Sequence, residues 1–156
     1  MTRKIIILII AIAIPLVGGF IVSSATGKAM MAFETMNKPP LSPPAWLFPI
    51  AWTILYIMMG IASFLIFNKV TYDPARVVGL TLYILQLGAN FIWSFIFFNE
   101  AMYLAAFFVL LLLWVLVFCM MIQFRKVSML AFVLIIPYII WLTFAGYLNI
   151  GIAFLN

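Results

Sequence analysis

The sequence predicts an all-α, polytopic membrane protein built as a bundle of five transmembrane helices. Three observations predict it. Hydrophobic residues make up 69% of the 156 residues and charged residues only 7%, with a mean hydropathy of +1.35, and a water-soluble fold of this size has no means of hiding so much apolar surface. The apolar residues fall into five runs, each near or above the roughly 20 residues that cross a bilayer. Finally, the basic residues sort onto alternate breaks between those runs.

The first run covers about residues 5–25. Its basic start and apolar core also describe a signal peptide, but the core exceeds the usual length of about 7–15 residues, so it is read as a helix that stays in the bundle. The longest break follows at about 26–43, with Lys28, Glu34 and Lys38, and forms loop 1. A second helix is expected over about 44–67, with Ser42 as N-cap and Pro43 and Pro44 in the first turn, where a missing N–H does no harm. Asp73 followed by Pro74 repeats that signal and opens a third helix over about 75–98. Only Asn99 and Glu100 separate it from a fourth, at about 101–123, so these two form a tight antiparallel hairpin. "QFRKVS" ends the fourth, and the fifth runs from Ser128 to about 153.

Arg3, Lys4, Lys69, Arg76, Arg125 and Lys126 fall on the N-terminal side of the bundle, against Lys28 and Lys38 on the other. The positive-inside rule therefore expects a multi-pass protein of the cell membrane with a cytoplasmic N-terminus, and with loop 1 and the C-terminus external. This asymmetry uses up the net charge of +5 and leaves no basic patch for nucleic acid. The chain has no histidine and one cysteine, Cys119, which removes the usual zinc sets, Ser–His triads and histidine-ligated haem; no metal site or cofactor is expected. Glu34, Asp73 and Glu100 all lie in loops or at helix ends. Ion-driven transport, which relies on ionisable groups inside the membrane, finds none here.

Uncharged polar and aromatic stripes remain. Gln86 and Asn90, four apart, share a face of the third helix with Trp93 close by. Tyr138, Trp141, Ala145 and Asn149 follow helical steps on the fifth, and Trp52, Tyr56, Gly60 and Ser63 do so on the second. Such stripes have two readings, helix-packing contacts or the wall of a ligand cavity. Trp46 suits the interfacial belt better than Trp52 or Trp141 do. Trp114, without polar company, is expected to pack or face lipid. Pro137 leaves the Val133 carbonyl without its helical partner and is expected to bend the fifth helix, as Pro15 bends the first.

Three stretches, "KPPLSPPAWLFPIAWTILYIMMG", "QLGANFIWSFIFF" and "IPYIIWLTFAGYLNIG", resemble in order and spacing the signature segments of the TspO/MBR family of tryptophan-rich sensory and translocator proteins. The resemblance implies a five-helix bundle, commonly dimeric, whose cavity near loop 1 accepts porphyrins such as protoporphyrin IX and benzodiazepine- or isoquinoline-type ligands. It places Trp46, Trp52, Tyr56, Asn90, Trp93, Tyr138, Trp141, Phe144, Ala145, Leu148 and Asn149 around the ligand. Departures are equally visible. Leu41 stands where many members carry another tryptophan, Phe108 where some carry an acid, and Tyr147 has no following basic residue to complete the sterol motif proposed for animal members.

On this reading the proline cluster stiffens loop 1 as a lid over Trp46, Trp52 and Tyr56, whose faces stack on a flat ligand at about 0.5–1.5 kcal/mol per ring. Asn90, Asn149 and the tyrosine hydroxyls meet its polar atoms, and Lys28 and Lys38 attract its propionates. The expected function is a porphyrin receptor or carrier. Light- and oxygen-dependent degradation is its catalytic extension, with Trp52 and Trp141 as electron donors; the alternative is a structural or regulatory membrane subunit with an incidental cavity. Small residues on the third helix, Gly79, Gly88 and Ala89 with Ala75 and Thr81, suggest a homodimer through that face.

Overall fold

The computed structural model describes residues 2–69 and 73–156, with the side chains of 28–32 excepted. Five helices follow one another: α1 (Thr2–Thr35), α2 (Leu47–Phe67), α3 (Pro74–Phe98), α4 (Tyr103–Val127) and α5 (Met129–Leu155). Each is long and apolar enough to cross a membrane. The chain is an all-α, multi-pass membrane protein. Its helices pack as a ring in the order α1, α2, α5, α4, α3 and back to α1, with only a slight direct contact between α2 and α3.

The buried core belongs mainly to α2, α4 and α5. Met59, Ile66, Leu113, Met120, Phe124, Ile135, Tyr138 and Ile152 are completely enclosed. Helix α1 is different: 6% of its most apolar window is buried, against 28% to 39% in the other four. It lies across the seam where α2 and α3 meet poorly, and glycines seat it there. A Cβ on Gly60 would come within 2.5 Å of the Ile12 Cα and 2.7 Å of the Ala11 carbonyl oxygen. That carbonyl is the one Pro15 cannot bond, having no N–H, and the Gly60 backbone lies close against it. Gly18 and Gly19 make room in the same way for the rings of Phe91 and Tyr56.

Helix ends depart from expectation chiefly around loop 1. Helix α1 continues to Thr35, ten residues past the expected end at about 25, so the loop is 36–46 rather than 26–43. The apolar span itself stops at Gly27, but the Ala- and Met-rich segment beyond it has good helix formers and no proline. Phe33 rewards the extension, 2% exposed and edge-on to Phe48 at 5.2 Å. Helix α2 starts at Leu47 with no side-chain cap. Ser42, the expected cap, donates instead to the Pro39 carbonyl at 2.7 Å. The reason is Pro44, which holds Pro43 in extended backbone and leaves a turn, Leu47 N–H to Pro44 O at 3.0 Å, to open the helix.

Elsewhere the caps are where the sequence puts them. Asp73 accepts from the Ala75 N–H at 2.8 Å, with Pro74 in the first turn. Ser128 accepts from the Ala131 N–H at 3.4 Å. Arg76 donates to the Phe67 and Lys69 carbonyls at 2.7 and 2.9 Å, which closes the C-terminal end of α2. The α3–α4 turn uses Ala101 with φ 51, and α4 accordingly begins at Tyr103 rather than 101. Helices α1 and α5 run continuously through Pro15 and Pro137. Gly79, expected on an outward dimer face, instead packs inside the bundle against Phe124 of α4, whereas Gly88 opens onto unfilled space.

Gly60→Ala places its methyl group against α1 backbone, which cannot move aside as a side chain does. Overpacking of this kind is expected to lower stability by about 1–3 kcal/mol, read as a lower thermal midpoint in detergent. Gly88→Ala, with open space beyond it, serves as the control and should leave the midpoint unchanged or slightly raised.

Candidate functional site

The polar stripes converge in the middle of the bundle as a hydrogen-bond chain. Tyr56 of α2 donates to Asn90 Oδ1 at 2.9 Å, and Asn90 Nδ2 donates to the Tyr138 hydroxyl of α5 at 3.0 Å. Tyr138 in turn donates to Gln86 Oε1 at 2.8 Å, and Gln86 Nε2 ends on Met59 Sδ at 3.7 Å. All of these residues are buried. A second, shorter chain runs from Trp93 Nε1 to Asn149 Oδ1 at 3.0 Å and from Asn149 Nδ2 to the Tyr103 carbonyl at 2.7 Å. These amides and hydroxyls therefore engage one another and the backbone. In a low-dielectric interior each of these groups needs a partner, and here a neighbouring helix supplies it.

Aromatic rings surround this network, with Trp52 at their centre. Its ring lies 5.4 Å from Tyr56, 6.2 Å from Trp93 and from Tyr138, and 6.5 Å from Trp141, the last edge-on at 84°. Trp141 continues to Phe48 at 6.0 Å and Phe144 at 5.9 Å. Trp52 and Trp141, both half-buried, thus do meet.

A cavity of about 360 Å³ lies on the other side of Trp52. Helix α2 supplies Pro49, Trp52, Thr53 and Tyr56, α3 supplies Ser94 and Phe98, and α1 supplies Leu16, Gly19, Phe20, Val22, Ser23 and Thr26. Of the residues expected around a ligand, Trp52 and Tyr56 line it. Asn90, Trp93, Tyr138, Ala145, Leu148 and Asn149 are buried in the bundle behind them. Trp141 and Phe144 sit on α5, outside the lining, and Trp46 is 65% exposed at the start of α2. The α1 wall was not anticipated. Its signal in the sequence was a Gly–Gly pair followed by Ser23 and Thr26 in an otherwise bulky apolar run.

Loop 36–46 does not cover this cavity. It is fastened over the end of α5, where Tyr147 donates to the Pro40 carbonyl at 2.8 Å and Pro39 presses on Gly151. Asn37 N–H donates to Asn156 Oδ1 at 3.2 Å, and Asn156 Nδ2 returns a bond to the Asn37 carbonyl at 2.9 Å. Lys38 bonds the Glu34 carbonyl and lies 5.0 Å over the Phe33 ring, away from the lining; the side chain of Lys28 is outside the described residues. On the far side of the bundle, Phe107, Leu110, Trp114, Leu142 and Gly146 border an apolar groove of about 330 Å³ between α4 and α5. Trp114 has polar company after all, donating to Thr143 Oγ1 at 3.0 Å.

The five-helix bundle is the fold that the signature segments implied, and comparison with known sequences agrees. A profile of the TspO/MBR family matches residues 11–155. The chain belongs to the TspO/MBR family. It is 39% identical over 157 residues to the tryptophan-rich protein TspO of Chlorobaculum tepidum, covering 100% of this chain and 99% of that one. Protein CrtK of Rhodobacter capsulatus is 36% identical over 124 residues, 80% of this chain and 78% of its own. The translocator protein of Bos taurus is 34% identical over 138 residues, 87% and 82% of the two chains.

Tyr138 is the middle link of the polar chain, since its hydroxyl both accepts from Asn90 and donates to Gln86. Tyr138→Phe strands both amides, and a loss of about 1–2 kcal/mol is expected for buried interhelical bonds of this type. Tyr56→Phe strands only one acceptor and should lose less. Unfolding in mixed micelles with increasing denaturing detergent measures both.

Proposed function

We propose that this TspO/MBR member is a membrane receptor or carrier for flat, largely apolar ligands, with porphyrins such as protoporphyrin IX, or benzodiazepine- and isoquinoline-type molecules, as its guests. One observation carries the reading: Trp52 presents one side to the cavity while its other contacts are four aromatic rings. Helix packing alone does not require an aromatic wall along a cavity, whereas a stacked ligand does. At about 360 Å³ the cavity is near the lower end of the roughly 300–1,000 Å³ range of small-molecule sites, so a tetrapyrrole seated there extends out through the mouth. Relatives named translocator protein and tryptophan-rich sensory protein support a membrane binding role.

The catalytic extension follows from the same wall. A photoexcited porphyrin against Trp52, or the oxygen it activates, takes one electron from the indole, which leaves a porphyrin radical anion or superoxide and an indole radical cation; an electron from Trp141, 6.5 Å behind, would move that hole to α5. A structural or regulatory subunit with an incidental cavity is the second reading, favoured by the internal pairing of the polar stripes.

Absorption spectra of protoporphyrin IX with the purified protein, in darkness and in light, separate these readings. A stable shifted spectrum in the dark is expected, with light-dependent loss and a new product band if degradation occurs. Trp52→Phe should retain binding and slow that loss more than Trp141→Phe does. Wild-type rates in both variants would remove tryptophan chemistry, and no spectral shift at all would leave the structural reading.

We further propose that the N-terminus is cytoplasmic and loop 36–46 external, because six basic residues lie on one side and two on the other. In a Cys119→Ser background, a membrane-impermeant thiol reagent should label Leu41→Cys but not Met129→Cys in intact cells. The opposite pattern reverses the topology.

A further inference from the structure

The cavity is walled by α1, α2 and α3 alone, with no contribution from loop 36–46, α4 or α5. Its rim is formed by Phe20 and Ser23 of α1 and Pro49 and Thr53 of α2, all exposed. These positions lie within the spans that face hydrocarbon. The opening therefore looks sideways, toward lipid.

Two contacts frame it. Helices α1 and α2 touch where Gly19 meets Tyr56 and touch again where Phe33 meets Phe48. Between those pins α1 advances about 21 Å and α2 only about 12 Å at the helical rise of roughly 1.5 Å per residue. The longer strut must slant or bow away from the shorter one, and the gap between them is the opening. Helix α1 is also the least buried of the five, so displacing it exposes little core, and motion is drawn from such weakly packed elements. By contrast, loop 36–46 is held by the reciprocal Asn37–Asn156 bonds and by Tyr147.

The lining also restricts what enters. The hydroxyls of Thr26, Thr53 and Ser94 donate to the carbonyls of Val22, Pro49 and Asn90 in their own helices. Ser23 Oγ and Trp52 Nε1 have no hydrogen-bond partner among the described residues, and no lining side chain is charged. The free donors suit one or two acceptors on an otherwise apolar body.

We propose that the cavity fills from the bilayer, through the α1–α2 seam, taking in the uncharged body of a lipid-dissolved ligand with one or two hydrogen-bond acceptors while loop 36–46 stays fastened. This rests on the binding role proposed above for the same cavity. Its first test needs no ligand. In nanodiscs containing lipids brominated along the acyl chain, the Trp52 emission, taken as wild type less Trp52→Phe, should be quenched by the bromines and not by aqueous iodide. Quenching by iodide alone overturns the lateral opening. The second test follows protoporphyrin IX binding in the dark by stopped flow. Phe20→Ala should raise association and dissociation rates together, several-fold, and Asn37→Ala should change neither. Faster rates in Asn37→Ala with none in Phe20→Ala would make the loop the gate and overturn the proposal. Absence of any porphyrin binding would overturn the ligand reading, and the quenching measurement would still decide where the cavity opens.

Discussion

A buried amide in a bilayer must find a partner within the protein, and the arrangement of this bundle follows from that demand. Gln86 and Asn90 lie on a helix whose backbone makes few close approaches to that of α2. The tyrosines that satisfy them, Tyr56 and Tyr138, come from α2 and α5. The chain of bonds thus ties α2, α3 and α5 to one another, where apolar contact by itself discriminates poorly between protein and lipid. With α2, α3 and α5 registered in this way, Trp52 is carried to the meeting point of the aromatic rings.

Helix α1 is governed by different physics. It contributes little to the core, and its seat is made by close approach, with glycines on both sides and a proline-freed carbonyl turned toward Gly60. Close packing without side-chain interdigitation gives a contact that is specific in position but small in area. The cavity lies beyond the Gly19–Tyr56 contact, where α1 parts from α2. The molecule thus divides into a polar-locked body and a lightly held strut.

Much of this was legible in the residues. Apolar run lengths and the Asp73–Pro74 and Ser128 caps located four helices closely, because those signals act within a few residues of the feature they mark. The end of α1 was not legible, since hydropathy reports where a segment leaves the hydrocarbon and not where its backbone hydrogen bonds stop; Phe33 docks on Phe48, a partner on another helix. The same limitation applies to the site. Spacing put Gln86 with Asn90 and Trp52 with Tyr56 on shared faces, but not which faces would meet. The amides therefore looked equally suited to ligand or to helix. Only the assembled bundle shows that tyrosines reach them first, and that the cavity lies on the α1 side of Trp52.

The direction of the polar chain has a consequence for the membrane itself. Every bond from Tyr56 through Asn90 and Tyr138 to Gln86 points the same way, donor to acceptor. A line of hydroxyls oriented like this would pass protons along it. Here amides interrupt the line, and an amide that accepts at oxygen and donates from nitrogen can relay a proton only by becoming its high-energy imidic tautomer. The chain therefore ties three helices together through polar groups without making these residues a proton-conducting path.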